Sequence, residues 1–271
     1  MRAAKPLEMT AILDARGLQK TFGAVIAASD INVSIEKDSV VGLIGTNGAG
    51  KTTFINMITG YLKPDAGSIR YEGRDITALA PREITRLRIC RSFQIPQLYQ
   101  SLSVHGNMMV ALGVLLGNAG LGGFFSRGNP LVPGHDATAE EVAARTLERF
   151  GLTGYRDSNA QTLPGGVRKL LDIALTIVAR PKILLLDEPT SGVSADEKFG
   201  IMEMVLKVAK DEGATVLFVE HDMEIVNHFA RRVLAFYDGR IIADAPPGVA
   251  LNDPEVRRYV VGGALQTISH A

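Results

Sequence analysis

A single cysteine, Cys90, stands in the 271 residues, which excludes an internal disulfide and leaves too few thiols for a cysteine zinc site. It is expected to pack as a small buried hydrophobe, and such sparing use fits a reducing compartment. Net charge is missing as well. The 29 Lys and Arg balance 29 Asp and Glu, so there is no basic field to wrap a nucleic-acid backbone, and nucleic acid is not an expected partner. No apolar run follows the charges of Met1-Arg2-Ala3-Ala4-Lys5-Pro6, so no secretory signal is expected. A membrane span is not expected either. Residues 108–125 hold Asn118 as their one clearly polar residue, yet Gly113, Gly117, Gly120, Gly122 and Gly123 weaken a single helix, and Ser126-Arg127-Gly128-Asn129-Pro130 ends the run. The stretch reads as a surface insertion touching apolar material. No internal repeat is visible, and the length suits one domain with an appended lobe or two small domains.

What is present begins with Gly45-Thr46-Asn47-Gly48-Ala49-Gly50-Lys51-Thr52, which fits the GxxxxGK[ST] pattern of a phosphate-cradling loop. The apolar run Val40-Val41-Gly42-Leu43-Ile44 predicts a buried strand entering the loop, and Phe54, Ile55, Met57 and Ile58 give helical spacing beyond it. Glycines let successive N–H groups converge on phosphate oxygens, and the helix starting near Gly50 adds its positive end. Lys51 is expected to reach the terminal phosphates and the Thr52 hydroxyl to help hold Mg²⁺, with Gly45, Asn47, Gly48, Ala49, Gly50 and Thr53 around the nucleotide.

Strands and amphipathic helices alternate after Val40, the pattern of an α/β domain with a largely parallel sheet. Residues 12–22, 25–35 and 67–71 alternate apolar and polar positions, predicting an antiparallel layer beside it. From about 103 to 179 the strand signal fades, and 104–112, 138–150 and 167–179 read as helices of an inserted lobe, the last with Leu170, Leu171, Ala174, Ile177 and Val178 on one face. Strands return at 183–186, 215–219 and 233–236, and Asp238-Gly239 closes a hairpin. Arg82, Arg86, Arg88 and Arg91, interspersed with Ile84, Leu87 and Ile89, read as a solvated helix face and its exit. The expected boundaries are 10–95 and 180–250 for the nucleotide-binding core with its β layer, 96–179 for the helical subdomain with a glycine-rich insertion at 113–136, and 251–271 for a C-terminal helix and tail.

Ile183-Leu184-Leu185-Leu186-Asp187-Glu188 delivers two carboxylates at the end of a buried strand, where open α/β sheets place their ligands. Asp187 is expected to bind Mg²⁺ directly or through water. Glu188 is expected to orient and deprotonate the water that attacks the γ-phosphate, because phosphoryl transfer needs an aligned nucleophile. His221 ends the strand Val216-Leu217-Phe218-Val219-Glu220 and can reach the same edge to hydrogen-bond the γ-phosphate. His105, His135, His228 and His270 read as surface or packing residues.

In this order the phosphate loop, Gln94 after Arg91-Ser92-Phe93, Leu163-Pro164-Gly165-Gly166-Val167, Asp187-Glu188 and His221 resemble the motif set of ABC transporter ATPase subunits across nearly the whole chain. The resemblance implies a P-loop α/β core with an antiparallel β layer and an inserted α-helical subdomain, hydrolysing ATP with Mg²⁺. It implies that Phe22 stacks on adenine, that Gln94 links Mg²⁺ and the attacking water to the membrane subunits, and that His221 is the switch histidine. It also implies that Gly165 and Gly166 close over the nucleotide of a partner ATPase. Two positions depart from the family. The usual signature is Leu-Ser-Gly-Gly-Gln, whereas Pro164 and Val167 here supply neither hydroxyl nor amide, and Ser194 stands where an aspartate normally follows. The weakened half-site beside an intact Glu188 predicts an asymmetric heterodimer.

Glu220-His221-Asp222-Met223, the insertion with Gly123-Phe124-Phe125-Ser126 and the ending Val256-Arg257-Arg258-Tyr259-Val260-Val261-Gly262 resemble branched-chain or hydrophobic amino acid importer ATPases. That implies integral membrane permease subunits, a second ABC ATPase and a periplasmic solute-binding protein as partners, with this chain on the cytoplasmic face of the inner membrane. The alternatives are an exporter ATPase of the lipopolysaccharide-transport type, a soluble ABC ATPase of DNA repair or translation, and a nucleotide-bound regulatory module.

Overall fold

A computed structural model describes residues 11–92, 97–118 and 131–262. Alternating burial along β1 (Ala11–Phe22) and β2 (Val25–Glu36) marks strands with one face on the core, and they pair antiparallel. With β4 (Ala66–Tyr71) and β5 (Arg74–Asp75) they form a four-stranded layer in the order β2-β1-β4-β5.

The second sheet has six strands in the order β10-β9-β3-β8-β7-β6. Its central members, β3 (Val40–Gly45), β7 (Ile183–Asp187) and β8 (Thr215–Val219), are continuous apolar runs because both of their faces are covered. Parallel pairing joins β6 (Ile89–Arg91) to β7, β7 to β8, β8 to β3, and β3 to β9 (Arg232–Tyr237). The edge strand β10 (Arg240–Ala245) is antiparallel, turned by Asp238 and Gly239, both at positive φ.

Helix α1 (Lys51–Ile58) lies between the two sheets, and the Phe54 ring packs 5.6 Å from that of Phe236. Around it one core cluster fills the space between the sheets, with Leu13, Leu18, Ile31 and Ile35 from the antiparallel layer. After α2 (Pro81–Arg86), the helices α3 (Val104–Asn118), α4 (Ala139–Arg149), α5 (Gly165–Ile177), α6 (Ala195–Asp211) and α7 (Met223–Phe229) share a second cluster with the opposite face of the six-stranded sheet. Thr138 caps α4 in a capping box, its N–H donating to Glu141 Oε2 at 2.9 Å. Beyond β10 the described residues continue in short helical turns, where Val256 and Val260 are buried and the Tyr259 ring stacks on Tyr237 at 4.4 Å.

Three local expectations change. Arg91 does not leave a solvated helix: α2 ends at Arg86, and Ile89–Arg91 is a strand beside β7 that carries Arg91 inward. Helix α3 continues through Gly113 and Gly117 to Asn118, because Val104, Met108, Leu112 and Leu116 recur every fourth residue and are all buried. That burial outweighs the propensity cost of about 1 kcal/mol per glycine. Helix α5 begins at Gly165 rather than Val167, with Pro164 as its N-cap residue. Residues 119–130 of the glycine-rich stretch lie outside the described residues. Cys90 is buried and free, its thiol pushed up to about 12 by desolvation.

Candidate active site

The parallel strands β3, β8 and β7 end at one edge of the sheet, which brings the phosphate loop, His221 and the two carboxylates to neighbouring strand ends. The loop's geometry requires glycine at two positions. Gly45 has φ 152°, and a Cβ there would lie 2.5 Å from the Phe236 carbonyl. Gly50, the N-cap of α1, has φ 105° and would clash with the Ala27 carbonyl at 2.7 Å. At Gly48 a Cβ would meet nothing within 4 Å, so the loop is open on that side. Asn47 and Thr52 are exposed, Thr53 is half-buried and Ala49 is buried.

Lys51 is buried and folds onto its own loop, its ammonium donating to Gly45 O at 2.6 Å and Thr46 O at 3.0 Å. Desolvation holds it below the usual lysine range, against the opposing pull of Glu188 and Asp187. Both carboxylates therefore sit within the electrostatic reach of the loop's lysine.

Asp187 is held twice. Arg91 Nη2 donates to Asp187 Oδ2 at 2.5 Å, and Lys169 Nζ from α5 donates to the Asp187 main-chain carbonyl at 2.9 Å. Arg91 is itself anchored by Nη1 to Asn56 Oδ1 on α1 at 2.6 Å. Lys169 is buried, and desolvation depresses its pKa, opposed by Asp172, Asp187, Glu188 and Glu220.

Glu188 stands at φ 47°, a left-handed conformation unusual outside glycine, fixed by its N–H on Val219 O at 3.1 Å and by the Ser191 N–H on its carbonyl at 3.1 Å. This backbone carries the carboxylate toward His221, whose Nε2 lies 3.1 Å from Glu188 Oε1. Glu220 is buried behind them. It accepts from the Thr190 N–H at 3.0 Å and the Thr190 hydroxyl at 2.7 Å through Oε1, and from the His221 N–H at 3.3 Å through Oε2. Glu220 thus ties the turn after Glu188 to His221, just beyond β8.

Other expected site residues lie elsewhere. Phe22 ends β1 with its side chain exposed, so it is not a core residue, and the Lys20 ammonium sits 5.7 Å from its ring centroid. Gly165 and Gly166 form the outward start of α5, where a Cβ on Gly165 would lie 3.4 Å from Gly192 O. Ser194 is the N-cap residue of α6, its hydroxyl on Glu197 Oε2 at 2.5 Å. Gln94 lies outside the described residues.

Sequence reasoning missed Arg91, Lys169 and Glu220 as parts of this centre. For Glu220 a signal existed, since an acid between a fully buried strand and a histidine needs an internal partner. Arg91 sits on a strand too short to show a period, and Lys169 falls within an amphipathic helix whose polar positions look alike.

The centre has hard oxygen donors suited to a magnesium ion, a carboxylate on Asp187 and a hydroxyl on Thr52. Among the described residues no group of three or more His, Cys, Asp or Glu side chains could form an all-protein cage.

The chain matches the ABC transporter family model over residues 28–191. It is 34% identical over 253 residues to the high-affinity branched-chain amino acid transport ATP-binding protein BraF of Pseudomonas aeruginosa, spanning 93% of this chain and 98% of that protein. It is 32% identical, with the same two shares, to the LivG protein of the same description in Escherichia coli. A probable LivG of Archaeoglobus fulgidus is 35% identical over 254 residues, 93% of this chain and 95% of that one. Among solved structures, the ADP conformation of an ATP-binding cassette of an ABC transporter aligns with TM-score 0.75 and 31% identity, covering 92% of this chain and 98% of the other. The cbiO1 protein of Clostridium perfringens, part of an ABC transporter complex, aligns with TM-score 0.75 and 27% identity over 96% and 98%.

Proposed function

This chain belongs to the ABC transporter family, as one of its ATP-hydrolysing subunits, and from that premise we propose that it powers uptake of branched-chain amino acids or a related small solute through a separate membrane permease. The observation that carries the solute class is the likeness to BraF and LivG along 93% of the chain.

In this reading Lys51 leaves its loop carbonyls for the terminal phosphates of ATP, exchanging neutral partners for charged ones. Thr52, Asp187 and Gln94 would hold Mg²⁺, which would supply charge neutralisation on the phosphates. Glu188 orients the attacking water and accepts its proton. His221, 3.1 Å away, fixes that carboxylate and faces the γ-phosphate. Phe22, exposed at the end of β1, offers a ring for adenine.

ATP draws this chain against a second ABC ATPase, whose nucleotide is covered by the amides around Gly165 and Gly166 at the start of α5. Pro164 removes the hydroxyl and amide of that cover, so the partner carries the fuller signature and the pair is asymmetric. A permease helix docks on the apolar surface of the helical lobe from Ser103 onward, and motion passes to it through Gln94. No helix among the described residues is long and apolar enough to cross a membrane. In this reading the chain works from the cytoplasmic face as a peripheral subunit, in a system whose periplasmic binding protein captures the solute.

The test is to tag Glu188→Gln, solubilise membranes gently in ATP and identify co-purifying chains by mass spectrometry. Two permease subunits and a second ATPase are expected. Recovery from the soluble fraction alone would overturn the transport reading.

A further inference from the structure

We propose that Arg91 is a positioning residue that competes with the divalent cation for Asp187, setting how tightly the site holds its metal. The inference rests on the reading of Asp187 as a metal ligand. Asp187 is surrounded by three cations in different roles. Lys51 is engaged by its own loop, and Lys169 grips the main-chain carbonyl of Asp187. Arg91 contacts the carboxylate itself, at 2.5 Å, in an ion pair whose two side chains are each about 10% exposed. A guanidinium cannot deprotonate at physiological pH, so its charge stays in place when the metal arrives.

Geometry makes the competition local. Arg91 is fixed from both ends: β6 holds its backbone against β7, and Asn56 holds Nη1 at 2.6 Å. Asn56 and Thr52 lie four residues apart on α1, one helical turn, so the anchor of Arg91 and the hydroxyl expected on the metal share a face of that helix. A cation between Thr52 and Asp187 thus approaches a charge that cannot swing far away. With water largely excluded from the ion pair, repulsion between the guanidinium and the incoming ion is only partly screened. Removing the charge at position 91 tightens metal binding, whereas a merely structural Arg91 would leave it unchanged or weaken it.

The probe is Mn²⁺, titrated into the full-length chain at saturating ADP, with free Mn²⁺ read by electron paramagnetic resonance. ADP affinity without metal and thermal melting are measured on the same samples. Arg91→Met is expected to bind Mn²⁺ roughly tenfold more tightly. Arg91→Lys, which keeps the charge, is expected to stay within about twofold of the parent, and ADP affinity without metal to be unchanged in both. Should Arg91→Met melt out, Arg91→Gln, which retains a donor for Asn56, carries the same expectation. Asp187→Asn separates the two layers of the argument. Loss of Mn²⁺ binding in Asp187→Asn, together with unchanged or weaker binding in the neutral Arg91 variant, would overturn the inference and leave the metal reading standing. Unaltered binding in Asp187→Asn would overturn both.

Discussion

The side chains of the centre hold one another, and its behaviour follows from which contact is removed. His221 touches Glu188 through Nε2 while its N–H is held by Glu220. His221→Ala is expected to lower ATP turnover by about 100-fold and leave ATP binding nearly unchanged, checked by phosphate release alongside nucleotide titration. Glu220 acts further back. Its Oε1 accepts two bonds from Thr190, and Glu220→Gln would turn an amide N–H₂ or lose an acceptor at a buried site. That change is expected to cost about 1–3 kcal/mol in stability and to slow turnover through the displaced Glu188 and His221, read by denaturant melts together with kcat. Asp187 and Glu188 were legible in the sequence because they follow an uninterrupted apolar strand. Their support was not, since Arg91 and Lys169 come from 96 and 18 residues away and only the fold brings them in.

Among elements, the central strands were legible because burial on both faces leaves an unbroken apolar record in β3, β7 and β8. Strand β6 was not, because three residues ending in arginine carry no period. The start of α5 was hidden by Gly165 and Gly166, poor helix formers that follow a proline N-cap residue. Helix α4 announces itself through Thr138 and Glu141, and Thr138→Ala is expected to destabilise the chain by about 1 kcal/mol in thermal unfolding.

The segment before α4 carries a pH dependence. The His135 ring nitrogen Nε2 lies 2.8 Å from the Val178 carbonyl and therefore donates to it, while Arg180 reaches back to the Gly134 carbonyl. Burial is the main cause that holds His135 below its ordinary value of 6.5. The Val178 bond and Glu212 oppose it, and Arg180 and Arg145 reinforce it. Folding thus favours the neutral ring. The contribution is complete above the unfolded value and is lost as pH falls through the lower folded value. Protection of the amides at residues 132–137, after division by the intrinsic exchange rate at each pH, is expected to fall as pH drops below the ordinary value of 6.5, and His135→Gln, which keeps a donor, is expected to remove that dependence.

On the scale of the whole molecule, two sheets and a helical lobe meet around one nucleotide edge, and function depends on chains other than this one. The fold class could be read from alternating patterns and the motif order, whereas in the proposed transport reading the solute passes through another chain and leaves no mark on this one. Asymmetry is the prediction that belongs here. In a reconstituted transporter with a second ATPase, the site using Glu188 and the partner's signature is expected to turn over faster than the site covered by Pro164-Gly165-Gly166. Disabling the catalytic glutamate of one chain at a time and comparing residual phosphate release checks it, and equal rates would contradict it.

The central claim is that ATP is hydrolysed at Glu188 beside His221. Phosphate release and retained nucleotide, measured on the reconstituted transporter with Glu188→Gln in this chain and a partner disabled at its own site, test it most directly. The account predicts that ATP stays bound while release falls by about 100-fold or more. Release at the parental rate, with ATP passing to ADP, would contradict it.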